Sequence, residues 1–195
     1  EIVHHMIHNL KIVKVLPLII FVMIILVSGL VLYQVKYFSK NTKILKSQLI
    51  GKNIPSVLIK EFHPNLKGQK NINLNFSDFE DQIFAVNFFA SWCAPCKVEA
   101  PMIEELSKII PVVGIAYKDQ IKNTNMFLKD YGNPYNKIGL DDKGKVAIEW
   151  GVYGVPETFI INNSGKIIFR HAGPLLYDVY ENEILTLLKN NKIND

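Results

Sequence analysis

Two cysteines, Cys93 and Cys96, are the residues whose type and spacing most directly indicate chemistry, and the chain contains no others. They lie three residues apart in the segment WCAPC at 92–96. An apolar run of strand length, FAVNFF, precedes the pair at residues 84–89, and residues 97–106 follow it with helical periodicity. The sequence therefore predicts that the pair lies where a strand turns into a helix.

That position favours redox chemistry at the pair. The first N–H groups of a helix lack partners within the helix, and the aligned peptide dipoles place positive charge there. Both effects would stabilise a thiolate at Cys93, and the thiolate is the form that attacks disulfides. Cys96 would lie one turn further on the same face, about 5–6 Å away between Cβ atoms, so the pair can cycle between dithiol and disulfide without unfolding the chain.

Other uses of a C-x-x-C pair fit this chain less well. A structural zinc site usually takes four ligands, and no second C-x-x-C or H-x₃₋₅-H cluster follows to supply the other two. Covalent haem attachment needs a histidine directly after the second cysteine, and Lys97 occupies that position. We therefore expect no metal and no cofactor. A purely structural disulfide remains an alternative, although closing so short a loop removes little chain entropy.

The elements that follow the pair predict an α/β fold. Their order of strand, helix, strand and helix implies a parallel core. Near the C-terminus, Gly165 supplies the turn of a hairpin that precedes an amphipathic helix. The predicted elements are the helix 95–109, the strand 111–117, the helix 120–131, the hairpin strands 157–162 and 166–171, and the terminal helix 175–189.

An apolar segment near the N-terminus predicts a membrane anchor. Residues 15–33 contain no charged side chain and are long enough to span a bilayer core as a helix. A cleaved signal peptide is the alternative, but its apolar core should be shorter and should end at a small-x-small site. We therefore divide the chain into a tail at 1–14, an anchor at 15–33, a tether at 34–50 and a globular domain at 51–195.

The lysines constrain the topology and the partners. Lys11 and Lys14 precede the apolar segment, whereas four lysines follow it up to residue 46, so a count of positive charges alone would place the globular domain in the cytoplasm. The net charge of +4 is modest, and the lysines crowd near the apolar segment instead of forming a stripe interleaved with aromatic residues. We therefore expect no nucleic-acid binding.

The combination of a strand, a C-x-x-C helix, a parallel strand and a terminal hairpin with a helix resembles the thioredoxin superfamily. Within it, the chain is most similar to the membrane-anchored thiol:disulfide interchange proteins of cytochrome c biogenesis, the DsbE/CcmG family. The stretches that carry this resemblance are VNFFASWCAPCKVEAP at 86–101, YKD at 117–119, GNPY at 132–135, GVYGVPETF at 151–159 and RHAGPL at 170–175. The resemblance implies a thioredoxin-like fold, with a central mixed sheet flanked by helices, after one N-terminal transmembrane helix.

The resemblance implies supporting roles for three residues around the cysteines. Pro156 matches the cis-proline of the superfamily, which lies beside the cysteines and exposes the preceding backbone to a substrate strand. The sequence alone gives only an X-Pro bond at this position, and such bonds are cis in about 5–6% of cases in folded proteins. Trp92 and Pro95 belong to the active-site segment itself.

Two glutamates are the candidate acids of the site. Glu99 matches an acidic position of this branch, and three residues beyond Cys96 it could raise the pKa of that thiol or relay its proton. From the residues alone, a solvated helix glutamate fits Glu99 equally well. Glu157, next to the proline, is a second candidate on the same reasoning. Asn87 occupies the position at which thioredoxin carries a buried aspartate, which moves proton handling towards the two glutamates.

The function that the resemblance implies is reduction of disulfides, in which Cys93 attacks and Cys96 resolves the mixed disulfide. The implied clients are apocytochrome c or thiol proteins of cytochrome maturation, and the implied electron donor is a DsbD/CcdA-type membrane protein. The implied location is the cell inner membrane, single-pass, with the domain in the periplasm, because long C-terminal domains translocate largely regardless of charge. A less specific periplasmic reductase and an adaptor that holds apocytochrome c without turnover remain alternatives.

Overall fold

The computed structural model describes residues 16–34, 49–64 and 72–192. Contacts between residues divide the chain into two units, Glu1–Lys46 and Ser47–Asp195. The predicted tail at 1–14 and most of the predicted tether, residues 35–48, lie outside the described residues.

Helix α1 of the first unit spans Leu16–Gln34. Its 19 residues include a window with a mean hydropathy of 2.8, so the helix is long and apolar enough to cross a membrane. It is displaced by one residue from the predicted segment 15–33. The described side chains of α1 are exposed.

A seven-stranded sheet forms the centre of the second unit. The strands are β1 Ile59–Phe62, β2 Asn73–Leu74, β3 Phe84–Phe89, β4 Val112–Tyr117, β5 Lys137–Asp141, β6 Glu157–Ile161 and β7 Ile167–Ala172. They lie in the order β2-β1-β5-β4-β3-β6-β7. The pairs β3–β4 and β4–β5 are parallel and the other neighbouring pairs are antiparallel, so the sheet is mixed, as predicted.

Helices and turns connect the strands or follow the last of them. They are a 3₁₀ turn Phe76–Phe79, α2 Ala94–Ser107, α3 Ile121–Tyr131, α4 Lys145–Glu149, α5 Tyr177–Val179, a π-helical turn Tyr180–Ile184 and α6 Leu185–Lys192. The predicted helices 95–109 and 120–131 correspond to α2 and α3. The predicted terminal helix 175–189 is divided into α5, the π-helical turn and α6. The sequence did not predict β1, β5 or α4, which are only four or five residues long. The equally short β6 was identified because the turn at Gly165 marks it as half of a hairpin.

Strand β3 is buried along its whole length and separates two apolar layers. Because side chains alternate between the faces of a strand, Val86 and Phe88 join the layer built around Trp150. Ala85 points to the opposite layer, beneath α2 and the terminal helices. Asn87 shares that parity, and it therefore lies as a buried polar residue in the face covered by α2.

Residues 49–54 extend the sheet at one end of β7. Gly51 N–H donates to the Ile167 carbonyl (2.8 Å), and Ile167 N–H donates to the Lys52 carbonyl (2.9 Å). The opposite end of β7, Ala172, pairs with Glu157 at the start of β6. Residues 49–54 therefore join the sheet at the end of β7 that lies farther from Pro156.

Candidate active site

The two cysteines lie between β3 and α2 and are joined by a disulfide, with their Cα atoms 5.3 Å apart. Cys93 is the N-cap of α2, with extended backbone angles, and Cys96 N–H donates to Cys93 Sγ (3.1 Å). Pro95 occupies the first turn of the helix, where a missing N–H removes no helical hydrogen bond. The sulfur of Cys93 thus receives both a free amide and the positive end of the helix dipole, which would stabilise its thiolate after reduction.

The segment that ends at Pro156 lies against Cys93. The Val155–Pro156 bond is cis, as the resemblance implied. The Val155 carbonyl oxygen lies 3.5 Å from Cys93 Sγ, and Gly173 N–H donates to the Pro156 carbonyl (2.9 Å). Cys93 is therefore the sulfur that faces the 151–156 segment.

Trp92 stands beside the disulfide and is 59% exposed. Its indole Nε1 donates to the Lys118 carbonyl (3.3 Å). The preceding Ser91 donates through N–H (2.6 Å) and Oγ (2.8 Å) to the carboxylate of Asp119. These bonds tie the loop after β3 to the loop after β4. The sequence contains Asp119 within the YKD motif at 117–119 but gives no sign of this bracing role.

Glu99 lies inside the protein, one helical turn after Cys96, and is only 1% exposed. Its Oε1 accepts from Asn87 Nδ2 (2.9 Å) and its Oε2 accepts from Leu175 N–H (2.9 Å). Burial raises the pKa of Glu99 from 4.5 to about 7, and the bonds from Leu175 and Asn87 partly offset that effect. The interpretation of Glu99 as a solvated helix glutamate is therefore wrong. With a pKa of about 7, both the neutral and the charged form of this carboxyl group are populated near neutral pH.

Asn87 connects Glu99 to two further buried groups. Its Nδ2 also lies 3.2 Å from Thr158 Oγ1, and its Oδ1 accepts from the hydroxyl of Tyr135 (2.8 Å). The Tyr135 ring packs on β4 at Gly114, where a Cβ would come within 2.8 Å of the ring. Burial and the nearby Glu99 raise the pKa of Tyr135 well above its usual value, so the hydroxyl stays neutral. The sequence contained Tyr135 within the GNPY motif but gave no sign of this contact.

Glu157 is also buried, at 2% exposure, but its carboxylate is engaged elsewhere. It forms an ion pair with Arg170 through Nε (2.8 Å) and Nη2 (2.7 Å), and it accepts from Tyr153 N–H (3.2 Å). Burial raises the pKa of Glu157, while the hydrogen bonds and the charge of Arg170 lower it. The two predicted acids thus have different surroundings: Glu99 faces neutral donors, and Glu157 faces a cation.

The described residues, 16–34, 49–64 and 72–192, include no group of three or more His, Cys, Asp or Glu side chains that could hold a metal ion. The groups that the site does present are the two sulfur atoms and the buried carboxyl group of Glu99.

Known proteins with similar sequences agree with the chemistry that this geometry indicates. Residues 50–170 match the AhpC/TSA family. A thiol:disulfide interchange protein DsbE homolog of Paracoccus denitrificans is 41% identical over 145 residues, which cover 74% of this chain and 78% of the relative. The chain belongs to the AhpC/TSA family.

Further relatives carry similar names. The thiol:disulfide interchange protein DsbE of Haemophilus influenzae is 35% identical over 158 residues, covering 80% of this chain and 84% of the relative. The thioredoxin domain of a thiol-disulfide oxidoreductase from Bacteroides vulgatus has a TM-score of 0.58 at 17% identity, covering 72% of this chain and 99% of that structure. At 17% identity, the similarity to the Bacteroides vulgatus structure shows a shared fold only.

These comparisons confirm the resemblance and the thioredoxin-like fold that the motifs predicted. With a C-x-x-C pair at 93–96 on that fold, this member of the family is a thiol:disulfide oxidoreductase.

Proposed function

We propose that this protein reduces disulfides in client proteins of cytochrome c maturation, with apocytochrome c as its first client. The observation that carries the proposal is the disulfide at the N-terminus of α2, which faces the Val155 carbonyl and has the buried acid Glu99 one turn behind Cys96. The motifs shared with the cytochrome c biogenesis branch and the relatives named DsbE support the choice of pathway.

The first step joins the enzyme to its client. In the reduced enzyme, the Cys93 thiolate attacks one sulfur of the client disulfide. The client S–S bond breaks, a mixed disulfide forms, and the other client sulfur leaves as a thiolate. The helix N-terminus favours Cys93 as the attacking sulfur, because the Cys96 amide and the dipole stabilise its negative charge.

The second step releases the client. Cys96 gives its proton to the Glu99 carboxylate and attacks Cys93 Sγ, which breaks the mixed disulfide. The second client sulfur leaves as a thiolate and takes up a proton. Two electrons pass to the client, and the enzyme is left with the Cys93–Cys96 disulfide that the structure contains. A carboxyl group with a pKa of about 7 is suited to this exchange near neutral pH.

The choice of client follows from the chemistry of haem attachment. Covalent attachment of haem to apocytochrome c needs both thiols of the attachment pair to be free. A dedicated reductant is needed wherever other enzymes install disulfides. We therefore place the globular unit in the periplasm, anchored in the inner membrane by α1, and supplied with electrons by a DsbD/CcdA-type membrane protein.

The direction of electron flow is tested by the reduction potential of the full chain in detergent. We expect a value near or below that of thioredoxin, about −270 mV. A value near about −120 mV is that of a disulfide donor and would contradict the proposed direction.

The client is tested with two oxidised peptides of equal length and composition, one with the order C-x-x-C-H and one with that order scrambled. We expect kcat/KM to be at least about tenfold higher for the first, since a specific pocket contact discriminates by this amount. Equal values would favour a less specific reductase.

The variant Cys93→Ser distinguishes the reductase from an adaptor that holds apocytochrome c without turnover. We expect cells with this variant to lose maturation of c-type cytochromes, whereas an adaptor would retain it.

The topology is tested with two fusions at the C-terminus, one to a phosphatase that is active only in the periplasm and one to a reporter enzyme that is active only in the cytoplasm. We expect the phosphatase fusion to be active. Activity of the cytoplasmic fusion alone would support the orientation that the lysine count predicts and would contradict the periplasmic location.

A further inference from the structure

Arg170 on β7 is a buried cation directed at the 151–156 segment. Its side chain is 8% exposed, and its Nε donates to Glu157 Oε2 (2.8 Å). Its Nη2 lies 2.7 Å from the same oxygen and donates to the Gly151 carbonyl (2.7 Å). The planar guanidinium can make these bonds together because its donors are fixed in a fork, which a lysine ammonium does not offer.

The composition of the chain adds weight to this contact. Of its 22 basic residues, 21 are lysine and Arg170 is the single arginine. The single arginine therefore stands where two nitrogens converge on one carboxylate oxygen, Glu157 Oε2, and where the guanidinium also lies over aromatic rings.

The ion pair fixes the segment that borders the disulfide. Gly151 is held through its carbonyl by Arg170, and Tyr153 is held through its N–H by Glu157. Two residues further along, the Val155 carbonyl lies 3.5 Å from Cys93 Sγ. The segment contains two glycines, and Gly151 has a positive φ of 59°, so its backbone needs such external bonds to hold one conformation.

The same guanidinium supports an exposed ring. Arg170 Cζ lies 4.7 Å from the centroid of the Tyr153 ring and 5.4 Å from that of the buried Phe159. Tyr153 is 77% exposed, so its ring contributes little to the core. Cation–π contact with a desolvated guanidinium holds this ring in place beside the active site.

We propose that Arg170 is a positioning residue for client binding: it orients the 151–156 segment and the Tyr153 ring to receive the polypeptide that flanks a client disulfide. This inference rests on the proposed reductase function and adds a determinant of its affinity for clients. A small disulfide reacts at Cys93 without using the segment. A polypeptide must also lie along the segment, so Arg170 affects KM and leaves the chemistry at sulfur unchanged.

The test uses the reduced full chain in detergent and the variant Arg170→Lys, which keeps the charge beside Glu157 but loses the fork. We expect KM for insulin and for the oxidised C-x-x-C-H peptide to rise at least about tenfold, with kcat within about twofold of the wild-type value. The rate with the small disulfide 5,5′-dithiobis(2-nitrobenzoic acid) and the reduction potential should be unchanged.

A second variant does not depend on the stability of the buried pair. Tyr153→Ala truncates an exposed side chain, and we expect a similar rise in KM. The double variant should show less than the product of the two single effects, because both act through one stack. Leu58→Ala, which truncates another exposed apolar side chain (82% exposed), is the matched control and should leave KM unchanged.

Two results would overturn the inference: an unchanged KM in Arg170→Lys, or a fall in the rate with the small disulfide by the same factor as kcat/KM for insulin. If the wild-type enzyme reduces insulin but not the C-x-x-C-H peptide, the choice of client fails, and Arg170 is still judged on insulin.

Discussion

The substitution Glu99→Gln should change how the stability of the globular unit depends on pH. Glu99 carries its raised pKa, about 7, because it is buried, and the neutral form of the carboxyl group is favoured in the folded protein. Between pH 4.5 and about 7 the folded state therefore binds more protons than the unfolded state. The stabilisation from this group is fully present below the unfolded pKa and is lost as pH rises through 7.

The magnitude follows from the size of the shift. A change from 4.5 to about 7 corresponds to about 3 kcal/mol of unfolding free energy, lost between pH 4 and pH 8. Glutamine does not titrate, so this loss is absent from Glu99→Gln. In the variant, the NH₂ group of the glutamine amide must point at one of two donors, Asn87 Nδ2 or Leu175 N–H. The hydrogen bond lost there lowers the unfolding free energy by roughly 1–3 kcal/mol at every pH.

The assay is urea unfolding of the oxidised full chain in detergent, followed by the fluorescence of the fully buried Trp150. At pH 4 we expect Glu99→Gln to have a lower unfolding free energy than the wild type. Between pH 4 and pH 8, the unfolding free energy of the variant relative to the wild type should rise by about 3 kcal/mol. Glu104→Gln, on the exposed side of the same helix, is the matched control for removing one carboxylate from α2. A constant difference for Glu99→Gln would refute the assignment of a buried, titrating carboxyl group.

Two further predictions concern the resolving sulfur and the packing beneath the site. Cys96→Ser should trap the client on Cys93 as a mixed disulfide, visible by mass spectrometry and released by dithiothreitol; absence of the adduct under conditions of turnover would contradict the assigned order of attack. Gly114→Ala should lower the unfolding free energy by about 1–3 kcal/mol, because the new Cβ would come within 2.8 Å of the Tyr135 ring. Gly154→Ala is its control, since a Cβ there meets nothing within 4 Å, and an equal loss in both variants would show that crowding is not the cause.

The elements that carry the cysteines could be predicted because their signals are local. The apolar run 84–89 and the helical periodicity after it placed the pair between a strand and a helix, and β3 and α2 lie there. The apolar segment 15–33 predicted α1 to within one residue. The turn at Gly165 predicted the β6–β7 hairpin. In each case a run of neighbouring residues contains the information, because strand and helix periods are properties of short segments.

The two glutamates show what the sequence left open. Glu99 and Glu157 were both candidate acids, and nothing in their own neighbourhoods distinguished them. The fold brings Leu175, 76 residues away, to one oxygen of Glu99, and it brings Arg170 to Glu157.

The sequence by itself thus determined the reactive pair, its position at a helix N-terminus and the resemblance to thiol:disulfide interchange proteins. The tertiary structure decided that burial raises the pKa of Glu99 to about 7, that Tyr135 reaches Asn87, and that the single arginine contacts the segment beside Cys93. The physical reason is that the pKa of a buried group depends on which distant elements exclude water from it and which donors they supply. Only the packed chain specifies those neighbours.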